Sequence, residues 1–283
     1  MNDAPTLADV AGRIRSLPAM PAVALELLHT LTETDASSAD LADLARRIAQ
    51  DQAITARVLR VANSPFYGLQ SRVASINDAI VVLGFSAVRS LVLAAAVMAS
   101  LPGGPCTGFS QERFWRHVLG TAAAAQAIGK RLGRPSEALF IAGLLHDIGR
   151  LALVVLYPAS YAAALANARE QDCTLQEAEL ELFGFDHTAV GAALAGHWHF
   201  PDDIVDALAW HHQPGQGKAD GLAAIVHYAD AIAQALDLDE AEDSQVASLQ
   251  EGAVASLGLD WDALLAILAE TQSRFDSYRL MLG

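Results

Sequence analysis

Apolar residues recur along this chain at the spacing of an α-helix, and the alternating runs that are typical of strands are scarce. In one stretch the apolar side chains fall at i, i+3, i+4 and i+7, so they share a helix face: Leu41, Leu44, Ala45 and Ile48. The same reasoning predicts helices over residues 21–31, 54–62, 76–83, 87–100, 111–132, 135–145, 186–199, 201–211, 222–236 and 261–282. We therefore predict an all-α fold, a multi-helix bundle.

The clearest break in this pattern is the segment LPGGPCTGF at residues 101–109. Its two prolines and three glycines cannot continue a helix. We place an internal boundary there and predict three parts: an N-terminal helical part (1–104), a second helical part (105–240) and a C-terminal helical extension (241–283). A capping box at Thr174 and Glu177 predicts a further helix start within the second part.

Composition narrows the class of protein. With 53% hydrophobic and 18% charged residues, the chain is not intrinsically disordered. A net charge of −15 disfavours nucleic acid as a partner, because neutralising phosphates requires lysine and arginine. A local basic face within residues 13–60 is the alternative, formed by Arg13, Arg15, Arg46, Arg47, Arg57 and Arg60.

The sequence also indicates a compartment. Cys106 and Cys173 are far apart and in no CxxC-like pattern, which fits a reducing environment. The first ten residues resemble no signal peptide. The apolar run Leu91–Ala99 is too short to span a bilayer, which needs about 20 residues. We expect a cytoplasmic protein that does not contact membranes.

The adjacent pair His146-Asp147 is the first candidate for chemistry, since it lies inside an otherwise apolar segment. A carboxylate buried there requires compensation, and a metal ion is one compensator, with Zn, Fe or Mn suited to histidine and carboxylate ligands. The alternative is a packed histidine beside an aspartate at a helix end, with Gly149 ending the helix. The doublet His211-His212 is also open to two interpretations, a metal site or an exposed helix terminus.

The ordered set of histidines and aspartates, each on or beside a predicted helix, resembles the HD superfamily of metal-dependent phosphohydrolases. Residues 15–235 more closely resemble the HDOD family (HD-related output domain) of bacterial signalling proteins. The motifs that carry this resemblance are LPAMPAVALELL, IAQDQAITARVLRVANSPFYG, SINDAIVVLGFSAVRSLVL, FWRHVLGTAAAA, LFIAGLLHDIGRLAL, ELFGFDHTAVGAALAGHW and IVDALAWHH.

The resemblance implies an N-terminal helical subdomain followed by an HD-like bundle with a ligand set for one or two divalent transition metals, Fe, Mn or Zn. The residues at the matching positions are His117, His146, Asp147, His187, His211, His212 and Asp230. Among them Asp147 matches the aspartate that commonly bridges two metals. The loop signature of the related HD-GYP phosphodiesterases is absent after His212, and Arg150 stands where those enzymes usually have lysine.

The function implied by the resemblance is regulatory: an output module that acts through contacts with a signalling protein. The alternative is a metal-dependent phosphohydrolase acting on a nucleotide or phosphoester. We assign no catalytic residue and no organic cofactor. Arg116 and Arg150 are candidates for phosphate contact by sequence proximity, with surface solvation as the favoured alternative.

Overall fold

A computed structural model of the chain describes residues 5–29, 38–101, 103–218, 221–240, 249–250, 252 and 257–283. Its regular elements are all helices, and no strand occurs within these ranges. The prediction of an all-α fold is therefore confirmed.

Among the described residues up to 101, six helices are present: α1 (Leu7–Ile14), α2 (Ala22–His29), α3 (Ser38–Ile48), α4 (Gln52–Ala62), α5 (Ile76–Leu83) and α6 (Phe85–Ser100). Helix α4 begins at Gln52, two residues before the predicted start at residue 54. The reason is that the Asp51 side chain caps the helix by accepting hydrogen bonds from the backbone N–H groups of Ala53 and Ile54. The predictions did not include α1, which opens with a capping box between Thr6 and Asp9.

After the predicted break, the described part of the chain contains these nine helices: α7 (Gln111–Arg131), α8 (Ser136–Leu145), α9 (Ile148–Leu156), α10 (Pro158–Gln171), α11 (Leu175–Phe183), α12 (His187–His197), α13 (Asp202–Trp210), α14 (Leu222–Ala235) and α15 (Trp261–Tyr278). The capping box of Thr174 and Glu177 opens α11 as predicted. Helices α9 and α10 were not predicted. The division into parts at 104 and 240 stays a prediction, and much of 241–256 lies outside the described residues.

Helix α7 lies at the centre of the second part and packs against α8, α14 and α15. Helix α12 packs on α9 and α13, and α1 crosses back to lie against α9 and α12. Most of α7 is buried, and its small side chains let neighbouring helices come close. One such contact is at Gly143 of α8, where an added Cβ would lie 2.8 Å from Ala122 Cα of α7.

The turn NSPFYG, residues 63–68, is a structural element tied to the C-terminus. The side chain of Asn63 donates to the carbonyls of Leu59 and Val73 and accepts from the Val73 N–H. Ser64 Oγ lies 2.7 Å from Ser277 Oγ of α15. These contacts fasten the end of α4 to the last long helix.

By length and apolar composition alone, the run Ser136–Leu156 could cross a membrane. It is longer than the apolar run 91–99 that was singled out from the sequence. It comprises two successive helices, α8 and α9, and 83% of its apolar window is buried inside the protein. A buried core helix meets the same criteria, so this run is part of the core.

Candidate metal centre

The pair His146-Asp147 lies at the junction between α8 and α9, because α8 ends at Leu145 and α9 begins at Ile148. Gly149 does not end a helix, as the alternative interpretation supposed, but lies in the first turn of α9. A Cβ at this position would lie 1.9 Å from the carbonyl oxygen of His187, so only glycine lets α9 approach the start of α12 this closely.

All seven residues that the sequence singled out converge at this junction. They fall into two groups, and within each group the candidate ligand atoms lie within 4.8 Å of one another. The first group is Asp147, His187, His211 and His212, and the second is His117, His146 and Asp230. The residues come from α7, the α8–α9 junction, the start of α12, the end of α13 and α14.

Asp147 connects the two groups. Its Oδ1 lies 3.2 Å from His187 Nε2, 3.6 Å from His146 Nε2 and 3.7 Å from His211 Nε2. Its Oδ2 lies 3.8 Å from His117 Nε2 in the second group. Asp230 Oδ1 contacts the second group from the other side, 3.1 Å from His117 Nε2.

Hydrogen bonds outside the cluster orient three of the imidazoles. His146 Nδ1 donates to the Gly143 carbonyl at 2.8 Å, and His211 Nδ1 donates to the Leu208 carbonyl at 3.0 Å. His187 Nδ1 contacts the carboxylate of Glu179 at 2.6 Å. A carbonyl only accepts, so in the neutral form of the first two rings Nδ1 carries the proton and Nε2 directs a lone pair into the cluster, the arrangement of metal-binding histidines.

The Nε2 atoms crowd together inside the cluster, and only two of them have a carboxylate oxygen within hydrogen-bond distance, His117 Nε2 (Asp230) and His187 Nε2 (Asp147). His117 Nε2 faces His146 Nε2 at 3.3 Å, and His187 Nε2 faces His212 Nε2 at 3.0 Å. His211 Nε2 is buried and has no hydrogen-bond partner. Because buried polar atoms are nearly always paired, these lone pairs fit a cation. The donor set of imidazole nitrogens and carboxylate oxygens suits a divalent transition metal.

Burial and neighbouring charges shift the pKa values of the residues in the cluster. Burial lowers the pKa of His146 to about 4, only partly opposed by Asp147. Burial also acts to lower the pKa of His187, but the carboxylates of Glu179 and Asp147 outweigh it and raise that pKa to about 10. Asp147 has its pKa held well below the usual value, because neighbouring histidines and Arg150 outweigh its burial.

Glu179 and the pairing of Arg150 were missed by sequence reasoning. Glu179 is fully buried on α11, and its Oε2 accepts both the backbone N–H (2.8 Å) and the ring of His187. Arg150 donates to Asp147 Oδ2 at 2.6 Å and lies 3.4 Å from the hydroxyl of Tyr161, so the expectation of surface solvation is wrong for it. No sequence signal separates Glu179 from the nearby glutamates of its helix.

The cluster forms the floor of an open cleft of about 970 Å³. Three arginines are among the residues that line it: Arg113, Arg150 and Arg169. Its size is within the range of small-molecule sites. Arg116, the other candidate for phosphate contact, instead donates to the Leu238 carbonyl and pairs with Glu240.

The arginines of the alternative basic face are mostly engaged within the protein. Arg46 and Arg47 pair with acidic side chains, Arg57 and Arg60 donate to backbone carbonyls, and Arg13 stacks over a tyrosine ring. Each of these five arginines therefore has a partner within the protein, although Arg46 and Arg47 remain exposed at their side chains.

Comparisons with known proteins agree with this geometry. The profile of the HDOD domain family matches residues 17–214. An HDOD domain protein of unknown function from Geobacter sulfurreducens is 28% identical, with a TM-score of 0.79 over 96% of this chain and 95% of that one. A candidate phosphohydrolase from Shewanella amazonensis SB2B is also 28% identical, with a TM-score of 0.75 over 97% and 98% of the two chains.

An uncharacterized protein of Treponema pallidum (strain Nichols) is 25% identical over 209 residues, which are 72% of this chain. The match spans only 39% of that longer protein. The family profile covers well over half of the present chain, and the matched fold carries a buried histidine–aspartate cluster. The chain belongs to the HDOD domain family.

Proposed function

We propose that the chain is a signal-transduction output module, in which a metal-loaded HD-like site acts through contacts with a signalling protein partner. The observation that carries the proposal is the ion pair between Arg150 and Asp147 Oδ2, at 2.6 Å. A carboxylate that bridges two catalytic cations gives one oxygen to each. In this chain Arg150 holds one of the two oxygens, which favours a structural or regulatory site over a two-metal catalytic one.

The ligands in this proposal are the seven clustered residues, with Asp147, His187, His211 and His212 as one group and His117, His146 and Asp230 as the other. Fe, Mn or Zn is the metal class that this donor set suits, in one or two ions. A cation bound in either group would join three helical segments that are distant in sequence, so its binding contributes to the stability of the folded state.

A second candidate function, a metal-dependent phosphohydrolase, is favoured by the cleft above the cluster. Arg113, Arg150 and Arg169 line this cleft, and guanidinium groups match the geometry of phosphate oxygens. A divalent cation in such a site lowers the pKa of water and offsets charge on a phosphoryl group. The residues of the chain would bind and orient a phosphoester, with the arginines as the contacts for its charge.

A cytoplasmic location belongs to the same proposal. No disulfide joins Cys106 to Cys173, which is consistent with a reducing compartment. The net charge of −15 and the internally paired arginines support a protein rather than a nucleic acid as the partner.

The test begins with elemental analysis of protein purified without a metal-affinity tag. We expect one or two equivalents of Fe, Mn or Zn in the wild type and in His197→Ala, a matched control that removes an exposed histidine outside the cluster. The double variant His146→Ala/Asp147→Ala should contain none. Absence of metal from the wild type, even after reconstitution, would refute a metal-loaded site.

The two candidate functions differ in turnover. The metal-loaded wild type is assayed with bis(p-nitrophenyl) phosphate and a panel of nucleotides, beside the His146→Ala/Asp147→Ala variant. The output-module proposal expects no product above that variant, together with a metal-dependent rise in Tm. Turnover in the wild type that the His146→Ala/Asp147→Ala variant lacks would overturn the output-module proposal in favour of the phosphohydrolase.

A further inference from the structure

One face of α15 is apolar and exposed. Trp261 is 69% exposed, and Leu265, one turn later, is 48% exposed. On the opposite face of the helix, Ala263 and Ile267 are buried against the rest of the protein. Apolar side chains scattered singly are normal on a protein surface, whereas large ones that lie together on one helix face indicate a contact site.

The shape of this face matches a second copy of itself. Between Asp262 and Asp276, the exposed side chains other than Leu265 are all small or uncharged: Ala266, Ala269, Gln272 and Ser273. Bulky side chains therefore lie at the N-terminal end of the face, and mostly small ones lie further along. In an antiparallel pair with a twofold axis near Ile267, Leu265 of each copy lies opposite Ala269 of the other, and Trp261 lies opposite Ser273. Small residues let the two helices approach, and the bulky ones fill the space between them.

The charges along the helix also favour the antiparallel arrangement. Asp260 and Asp262 are exposed at the start of α15, and residues 257–273 contain no lysine or arginine. Beside the second half of the helix lies Lys130 of α7, which is 66% exposed at its side chain, with its Nζ 3.1 Å from Glu270 Oε1. Antiparallel pairing brings the two aspartates of one copy toward Lys130 of the other, whereas parallel pairing places the acidic ends side by side. It also sets the two helix dipoles in opposite directions.

The overall charge and the size of the face indicate a weak association. A net charge of −15 opposes pairing at long range, but at 0.15 M ionic strength this repulsion is screened beyond about 8 Å, so local contacts decide. The 18 residues of α15 form a face about 27 Å long. One pair of such helices buries less than the roughly 800 Å² per partner of a standard interface, so we expect a dimer in exchange with the monomer.

We propose that the exposed face of α15 is a self-association surface, on which two copies of the chain pair antiparallel about an axis near Ile267. The occupant of the face is therefore a second α15. This inference is independent of the metal site, because none of the seven clustered residues lies on this helix.

The test is sedimentation velocity of the full chain at 0.15 M NaCl, from about 1 μM to about 300 μM, a range that spans micromolar dissociation constants. The wild type should change from monomer to dimer across this range. Leu265→Lys, which places a charge in the centre of the face, should stay monomeric with an unchanged circular dichroism spectrum. The matched control is Leu180→Lys on α11, which alters another exposed leucine (45% exposed) outside the face and should dimerise as the wild type does.

A charge exchange tests the orientation of the pair. Asp262→Lys and Lys130→Glu should each weaken the dimer at least ~3-fold, and the double variant Asp262→Lys/Lys130→Glu should regain most of the wild-type affinity, because the two charges face each other across the antiparallel pair. Lack of rescue in the double variant would overturn the antiparallel orientation.

Two other results would overturn the self-association surface itself. The first is a wild type that stays monomeric over the whole concentration range, which would leave the face to a different partner. The second is a dimer that Leu265→Lys leaves intact, or that Leu180→Lys weakens as much, since the contact would then lie elsewhere or depend on net charge alone.

Discussion

Replacement of Glu179 by glutamine tests whether a buried carboxylate outside the ligand set tunes the metal site. Glu179 Oε2 accepts from the His187 backbone N–H at 2.8 Å and contacts His187 Nδ1 at 2.6 Å. Glutamine keeps the volume and one acceptor oxygen but removes the charge, so a charge-assisted hydrogen bond becomes a neutral one. Its Nε2 would also occupy the place of Oε1, a buried atom that has no partner.

Loss of such an outer contact typically lowers metal affinity 10- to 100-fold, which corresponds to about 1.4–2.7 kcal/mol. We expect Glu179→Gln to weaken Mn²⁺ binding at the group that contains His187 by that factor, in a competition titration against a chelator. The matched control is Glu177→Gln on the same helix. Its carboxylate is exposed and accepts hydrogen bonds from the backbone N–H and the hydroxyl of Thr174 at the start of the helix. Wild-type affinity in Glu179→Gln, with its fold intact by circular dichroism, would refute the role assigned to this carboxylate.

Three further substitutions test contacts that build the fold. Gly149→Ala places a Cβ 1.9 Å from the His187 carbonyl oxygen, and separating the two helices should lower the free energy of unfolding by about 3 kcal/mol. Asn63→Ala removes three hydrogen bonds of the turn after α4 and should lower it by about 1–3 kcal/mol. Arg89→Met leaves the buried carboxylate of Glu137 without its cation and should lower it by about 3–5 kcal/mol. Urea unfolding followed by circular dichroism measures all three, and a loss below about 0.5 kcal/mol would contradict the contact concerned.

Features that depend on neighbours in sequence were accessible without the structure. The helix over 76–83 and the capping box of Thr174 and Glu177 follow from local spacing and hydrogen-bonding chemistry, and both are present. The seven clustered histidines and aspartates were found because their order along the chain resembles a known pattern. Their convergence could not be derived from spacing, since it depends on how five helical segments pack.

Features that depend on distant neighbours were missed or misjudged. Glu179 lies between two other glutamates, Glu177 and Glu181, and only packing decides which of the three is buried. Gly149 was interpreted as a possible helix end because glycine commonly ends helices, whereas its role is to admit the carbonyl of His187. Arg150 is a different case, because its partner Asp147 is only three residues away and the sequence prediction overlooked this local pair.

The proposed output role requires a physical connection between the metal site and a surface that a partner can contact. Coupling requires an element that contacts both ends, and α7 contacts the cluster at one end and α15 at the other. It presents His117 to the cluster and, nine residues later, Gln126 to α15, a separation of about 13 Å along the helix. Gln126 accepts the hydroxyl of Tyr278 on α15, and the adjacent Ser277 contacts Ser64 in the turn after α4. A shift of His117 on binding a cation would therefore act on a continuous set of packed helices that ends in the N-terminal part of the chain.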